Sequence, residues 1–295
     1  MSGRAAELAL PETAAARRQF ARAARSFEGA SFIHDEARHR LLERLGSFSL
    51  EPRVVADLGS GPGSGAIALA QQFPEACVVA LDSSVEMLCR SNTGQYTRVA
   101  ADVSQLPFPD RSVDLLFANL LLPWSRPEVL FAESRRVLSR EGLLVFSTLG
   151  PDTLIELRRA WRQVDDAIHI HAFWDMQTLG DLAVRAGLEE PVLDVDRIRV
   201  SYQELSGVIR DLRACGATNT ALGRRRGLTG RASWQQFVEA LWRDQGEGRQ
   251  PRFGLTVELI FGQAFGSAGA SRHPDSGEIS VPVADIGRSS GRNAT

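Results

Sequence analysis

The stretch Val54-Val55-Ala56-Asp57-Leu58-Gly59-Ser60-Gly61-Pro62-Gly63-Ser64-Gly65 decides the fold. Arg53 to Leu58 is a short β-branched run and reads as a strand. The glycines that follow read as a turn whose backbone can take positive φ and approach a ligand closely. A helix is predicted from about Gly65 to Gln72. Strand, glycine turn and helix in that order open a βαβ unit.

The unit recurs on the C-terminal side. Cys77 to Leu81 ends at Asp82 and leads to a helix over Val85 to Arg90. Arg98 to Ala101 ends at Asp102, Val113 to Ala118 ends at Asn119, and a helix over about Pro127 to Leu138 precedes a strand at Leu143 to Phe146. Short apolar strands alternating with helices imply a mostly parallel sheet covered on both faces. Ligands on such sheets bind beyond the strands' carboxyl ends, where Asp57, Asp82, Asp102 and Asn119 all fall.

On the N-terminal side, residues 1–45 read as a helical lid. Phe20, Ala24 and Phe27 share one face of a first helix, and Ile33, Ala37 and Leu41 one face of a second. Residues 46–150 form the Rossmann-like core. Residues 151–266 continue it with helices over Asp152 to Val164, Met176 to Ala186, Tyr202 to Cys215 and Ser233 to Asp244. The same segment holds strands near Val192 to Val200 and Leu255 to Phe261. In the tail, 267–295, Ile279, Val281 and Val283 alternate as in an edge strand with Pro282 outward. The expected fold class is α/β with a seven-stranded sheet, an N-terminal helical lid and a helical insertion near the C-terminus.

Composition narrows the chemistry. All 34 basic side chains among the 295 residues are arginine. Schiff-base, pyridoxal-phosphate and Walker A mechanisms, which require a lysine, are therefore excluded. Cys77, Cys89 and Cys215 lack metal or disulfide spacing and read as reduced, mostly packed thiols. The absence of an 18-residue apolar run or a leader pattern points to a cytoplasmic, soluble chain. Residues 51–115 carry four arginines against eight acids, whereas 197–252 carry eleven against five. The basic half suits either a solvated helical surface or docking of an acidic partner.

Gly61, Gly63 and Ala66 also satisfy a loose dinucleotide fingerprint. The carboxylate of Asp57, two residues before the first glycine, opposes a pyrophosphate on the helix N-terminus. A sulfonium ligand reverses that objection. S-adenosylmethionine carries one positive sulfonium, an amino-acid end and a ribose, and no phosphate. Asp57 then orients the amino-acid end through backbone or water, Gly59 and Gly61 allow close approach, Asp82 accepts from the ribose hydroxyls and Asp102 from the adenine amine.

With DLGSGPGSG at 57–65, LD at 81–82, AADVSQLPF at 100–108, DLLFANLLLPW at 114–124 and GLLVFSTLG at 142–150, the chain resembles class I S-adenosylmethionine-dependent methyltransferases. That resemblance implies cofactor contacts from Gly59, Gly61, Gly63, Asp82, Asp102, Val103, Asn119 and Leu120, with Asn119 near the methionyl end. The segments FSTLGPDTLIELR at 146–158, HAFWDMQTLGDLAVRAGLEEPVLDVDRI at 171–198, LRACGATN at 212–219, RRRGLTG at 224–230 and GEISVPVADIGR at 277–288 carry a narrower resemblance. They are similar to the malonyl-acyl-carrier-protein O-methyltransferases of biotin synthesis.

The narrower resemblance implies methyl transfer to the free carboxylate of malonyl-acyl-carrier protein, with the carrier docked on the arginine-rich 197–252 region and the enzyme acting as a monomer. A carboxylate is already nucleophilic at neutral pH, so alignment and desolvation supply the rate. Arg158 and the triplet at 224–226 are candidates to hold it bidentately, and pairing of Arg158 with Asp152 is the alternative reading. Phe27 and His34 stand where the family carries tyrosine and glutamine over the cofactor. Here they suit stacking and a hydrogen bond, or simple packing of the lid. Pro123-Trp124 replaces a glutamine-tryptophan pair.

Rival readings are an S-adenosylmethionine-binding protein-arginine hydroxylase, with His169, His171 and Asp175 as a facial triad, an assembly factor, and a methyltransferase for another small carboxylate. No metal is assigned. Nucleic acid as a substrate lacks its base-holding motif, because Leu120-Leu121-Leu122 follows Asn119. No basic amphipathic helix argues for a membrane surface.

Overall fold

A computed structural model describes residues 10–90, 95–244 and 253–266. The N-terminal helices are α1 (Thr13–Ala23) and α2 (Phe32–Leu45), separated by a 3-10 turn at Phe27–Ala30. The core then runs β1 (Val54–Leu58), α3 (Ser64–Gln72), β2 (Cys77–Asp82), α4 (Val85–Leu88), β3 (Thr97–Ala100), β4 (Val113–Asn119), α5 (Pro127–Val137) and β5 (Leu138–Leu149). It continues with α6 (Ile155–Arg162), α7 (Met176–Arg185), β6 (Glu189–Tyr202), α8 (Leu205–Ala214), α9 (Arg231–Asp244) and β7 (Phe253–Phe265).

The seven strands form one sheet in the order β3-β2-β1-β4-β5-β7-β6. β1 to β5 run parallel, and β7 inserts antiparallel between β5 and β6. The central strands bury both faces, and their alternation sorts side chains into two layers. Ala56, Leu116, Ala118 and Phe146 pack with Phe131 of α5 and Leu179 of α7. Val55, Leu115 and Phe117 pack with Leu41 and Leu45 of α2 and Leu69 of α3. A third cluster joins Leu157 of α6, Val208 of α8, Phe237 and Leu241 of α9 and Leu255 of β7 into a helical cap. The expected α/β fold with a helical insertion is thus present, and β1 lies centrally between β2 and β4.

Four expectations are corrected. Most of α2 is a layer of the core, so the covering part of 1–45 is α1, the 3-10 turn and the first turn of α2. Phe27 does not continue the first helix, which stops at Ala23. The helix expected from Asp152 begins at Ile155, because β7 takes the backbone donors ahead of it. Gly150 N donates to the Glu258 carbonyl (2.9 Å), Asp152 N to Glu258 Oε2 (2.8 Å) and Leu154 N to the Thr256 carbonyl (2.8 Å). Leu154 itself is left-handed at φ 55°. Finally, Cys77 and Cys89 are exposed and Cys215 alone of the three is buried. The tail strand lies outside the described residues. No helix among the described residues is long and apolar enough to cross a membrane.

Candidate active site

Parallel strands deliver their last residues to one edge of the sheet, and a cavity of about 280 Å³ opens there. Gly59, Gly61, Asp82, Asp102, Val103, Asn119 and Leu120 all line it, so seven of the nine sequence-predicted cofactor residues meet in one place. Phe27 and His34 line it as well.

The turn over β1 is built on glycine. Gly59, Gly61 and Gly63 have φ of 67°, 55° and 90°, a region costly for other residues. A Cβ on Gly59 would also lie 2.8 Å from Leu121 Cδ1. Asp82 holds this turn from β2: Oδ2 accepts from Gly61 N (2.9 Å) and Oδ1 from Ser84 N (2.7 Å). Burial raises its pKa, and the donated backbone N–H groups oppose the rise. Asp102, more exposed, accepts from Ser104 N (2.8 Å).

Asp57 and Gly63 are outside the cavity lining. Gly63 starts α3. Asp57 is buried beneath the turn, where its Oδ2 has no hydrogen-bond partner and where a Cβ on Gly65 would lie only 2.6 Å from that atom. Burial pushes its carboxyl up to about 7, against a donated bond from the Ala66 N–H. It therefore lies behind the backbone of the turn and does not reach the cavity itself.

Asn119 ties the cover to the sheet. Its Nδ2 donates to the His34 carbonyl (2.9 Å), and its Oδ1 accepts from Ser147 Oγ (2.8 Å). The His34 imidazole packs edge-on to Phe27 at 4.9 Å, with Nδ1 buried and unpartnered. Burial lowers its pKa to about 4, so the ring is neutral at physiological pH.

Sequence reasoning missed Thr13, Arg17 and Phe20 of α1 and Trp124, which also line this cavity. Positions 13, 17 and 20 share one helical face, and that spacing was the available signal. Phe20 meets Trp124 edge-on at 5.1 Å.

A second cavity, of about 400 Å³, lies between the sheet and the helical cap. Its wall is largely apolar and includes the aromatic residues Trp161, Phe173, Tyr202, Trp234 and Phe237. His34, Leu120 and Trp124 line both cavities and form the partition between them. His171 approaches Trp124 edge-on at 5.2 Å from the second cavity. Its Nε2 accepts from Thr220 N (2.6 Å) and burial lowers its pKa to about 4, so this imidazole is also neutral.

Arg158 lies behind Thr153 and Phe173, two residues of this second wall. Its Nη2 donates to the Thr153 carbonyl (3.2 Å), its guanidinium carbon is 5.8 Å from the Phe173 ring centre, and its Nε is buried without a partner. The alternative pairing with Asp152 is not formed, since Asp152 binds Arg197 at 2.9 Å. Burial depresses the Arg158 pKa, and the neighbouring Arg162 adds to the effect. The triplet at 224–226, the other candidate for holding the carboxylate, is placed differently. Neither cavity is lined by it, and Arg224 is engaged by Glu12 (3.1 Å) and the Ala221 carbonyl (2.8 Å).

The facial triad does not assemble. Asp175 caps α7 through Thr178 N (2.8 Å), His169 bonds Asp165 (2.8 Å), and the His171 Nε2 lone pair is already occupied. Among the described residues no group of three or more His, Cys, Asp or Glu could hold a metal ion.

A parallel sheet with one antiparallel strand next to its edge, a glycine turn over β1 and acids at successive strand ends define a class I S-adenosylmethionine-dependent methyltransferase. Residues 56–146 match the family described as "Methyltransferase domain". Over 263 residues the chain is 39% identical to the malonyl-[acyl-carrier protein] O-methyltransferase of Gallionella capsiferriformans, covering 85% of this chain and 90% of the relative. It is 41% identical over 270 residues to the enzyme of the same name from Laribacter hongkongensis, covering 87% and 90%. The chain belongs to the malonyl-[acyl-carrier protein] O-methyltransferase family. In fold it resembles the YcgJ protein from Bacillus subtilis (TM-score 0.54, 17% identity, covering 78% of this chain and 99% of that one).

Proposed function

We propose that the chain transfers the methyl group of S-adenosylmethionine to the free carboxylate of a malonyl thioester on acyl-carrier protein, as a cytoplasmic monomer serving biotin synthesis. The observation that carries this reading is the pair of cavities sharing one partition: strand-end acids line one, and an apolar wall backed by Arg158 lines the other. Both the relatives named above are called malonyl-[acyl-carrier protein] O-methyltransferases.

In this reading Asp82 takes the ribose hydroxyls, Asp102 the adenine amine, and the backbone of Gly59 and Gly61 the amino-acid end. Val103 and Leu120 flank the adenosine and the methionyl chain, and Asn119 holds the methionyl end. The cofactor supplies an electrophilic methyl on sulfur. A malonyl carboxylate oxygen attacks that carbon, the carbon–sulfur bond breaks, and its electron pair stays on sulfur. No proton moves, so no general base is required.

The protein's part is to strip water from the carboxylate and hold it in line, an effect worth about 7–11 kcal/mol when alignment is good. Arg158, exchanging its bond to the Thr153 carbonyl for the acceptor, binds that carboxylate. Neutral His34 and Phe27 cover the reacting atoms without placing a second positive charge beside the sulfonium.

The test is incubation with labelled S-adenosylmethionine and malonyl-, succinyl- or acetyl-carrier protein. Base-labile label on the malonyl form and none on the acetyl form, which has no free carboxylate, is expected. No label on the malonyl form despite intact cofactor binding contradicts the proposal.

A further inference from the structure

The loop Arg224 to Gly230 is fixed at its base and free at its tip. Arg224 bridges Ile168 and is bonded to Glu12, while Asn219 Nδ2 donates to the Ile168 carbonyl (2.6 Å). From Arg225 to Arg231 every residue is exposed, and Leu228 is 95% exposed. Both flanks of this tip line the second cavity: His169, Ala217 and Asn219 on one side, Trp234 and Phe237 on the other. The tip therefore stands at the cavity's rim, next to Trp234, which is itself 38% exposed.

The charge around the rim is one-sided. Arg213, Arg226 and Arg231 form no ion pair among the described residues, although the charge of Arg226 acts on Glu12, and Arg225 reaches Asp165 at 3.8 Å. Of the acids on the neighbouring segments, Asp211 is bonded by the Tyr202 hydroxyl (3.0 Å) and Asp165 by His169. A nearly fully exposed leucine on the same exposed loop as Arg225, Arg226 and Arg231 is costly in water, and it suits an acidic protein surface with an apolar recess.

We infer that this rim docks the carrier protein: Leu228 inserts into an apolar recess of the carrier, and Arg225, Arg226 and Arg231 meet its carboxylates. The thioester arm then enters the second cavity past Trp234. The inference rests on the methyl transfer proposed above and adds where the carrier sits.

The experiment compares the wild-type protein with Leu228→Asp/Arg231→Glu in three assays. These are turnover of malonyl-carrier protein, turnover of malonyl-N-acetylcysteamine, and calorimetric binding of malonyl-carrier protein. The double variant is expected to raise KM and Kd for the carrier by about tenfold or more, with kcat/KM for the small thioester unchanged. An equal loss on both acceptors, no loss on the carrier, or wild-type binding of heparin as tight as that of the carrier overturns the inference. If the wild type methylates neither acceptor, the proposed reaction fails, and the binding arm still decides the docking.

Discussion

Arg158 shows how one side chain can be a liability for the fold and an asset for the site. Its guanidinium is partly withdrawn from water, its Nε is unsatisfied, and the carboxylate that acts on it, Asp152, is bonded to Arg197 instead. An uncompensated buried charge destabilises a protein, and an apolar side chain of similar length relieves the cost. Arg158→Met is therefore expected to melt at the same temperature as wild type or above it, and to leave S-adenosylmethionine affinity unchanged. Its kcat/KM for malonyl-carrier protein should fall about 10–100-fold, the worth of a charge-assisted contact of roughly 1.5–3 kcal/mol. Calorimetry beside steady-state kinetics reads both. A lower melting temperature with full activity would put Arg158 in the scaffold instead.

At the scale of elements, the passage from β1 into α3 closes over Asp57, and its close packing sets a pH dependence. Asp57 sits under Gly65 with its carboxyl raised from an ordinary 3.8 to about 7 by burial. The folded state then holds this proton more tightly than the unfolded chain. The contribution to stability is full below about pH 4 and is lost as pH rises through about 7. Asp57→Asn removes the titrating group while keeping an acceptor for Ala66 N. Without cofactor, the melting-temperature difference between variant and wild type should grow in the variant's favour from pH 5 to pH 8. A difference that stays flat, or moves the other way, contradicts this assignment.

The strands of this unit were legible because each is a short apolar run ended by an acid or amide, and Asp82, Asp102 and Asn119 stand where the sequence places them. The start of α6 was not legible. The backbone donors of Gly150, Asp152 and Leu154 are taken by partners some hundred residues away, which no local pattern displays. The full length of β6 was hidden for a similar reason: its residues, none of them fully buried, are ordered by pairing with β7 rather than by burial.

On the scale of the whole molecule, the proposed reaction uses two cavities that abut. The cofactor cavity was mostly readable, since one βαβ repeat supplies its strand-end residues in sequence order. The second cavity was not, because its wall is gathered from α2, the turn after β4, β5, α6, the 169–173 segment, β6, α8, α9 and β7. The partition of His34, Leu120 and Trp124 exists only in three dimensions, and it is where the account requires the methyl to cross.

A crystal structure with sinefungin and an uncleavable malonyl-pantetheine amide tests that requirement most directly. The malonyl carboxylate is expected between His34 and Trp124, with one oxygen about 3–3.5 Å from the position of the transferable methyl and Arg158 turned toward the other. A carboxylate bound outside the second cavity, or facing away from the partition, would contradict it.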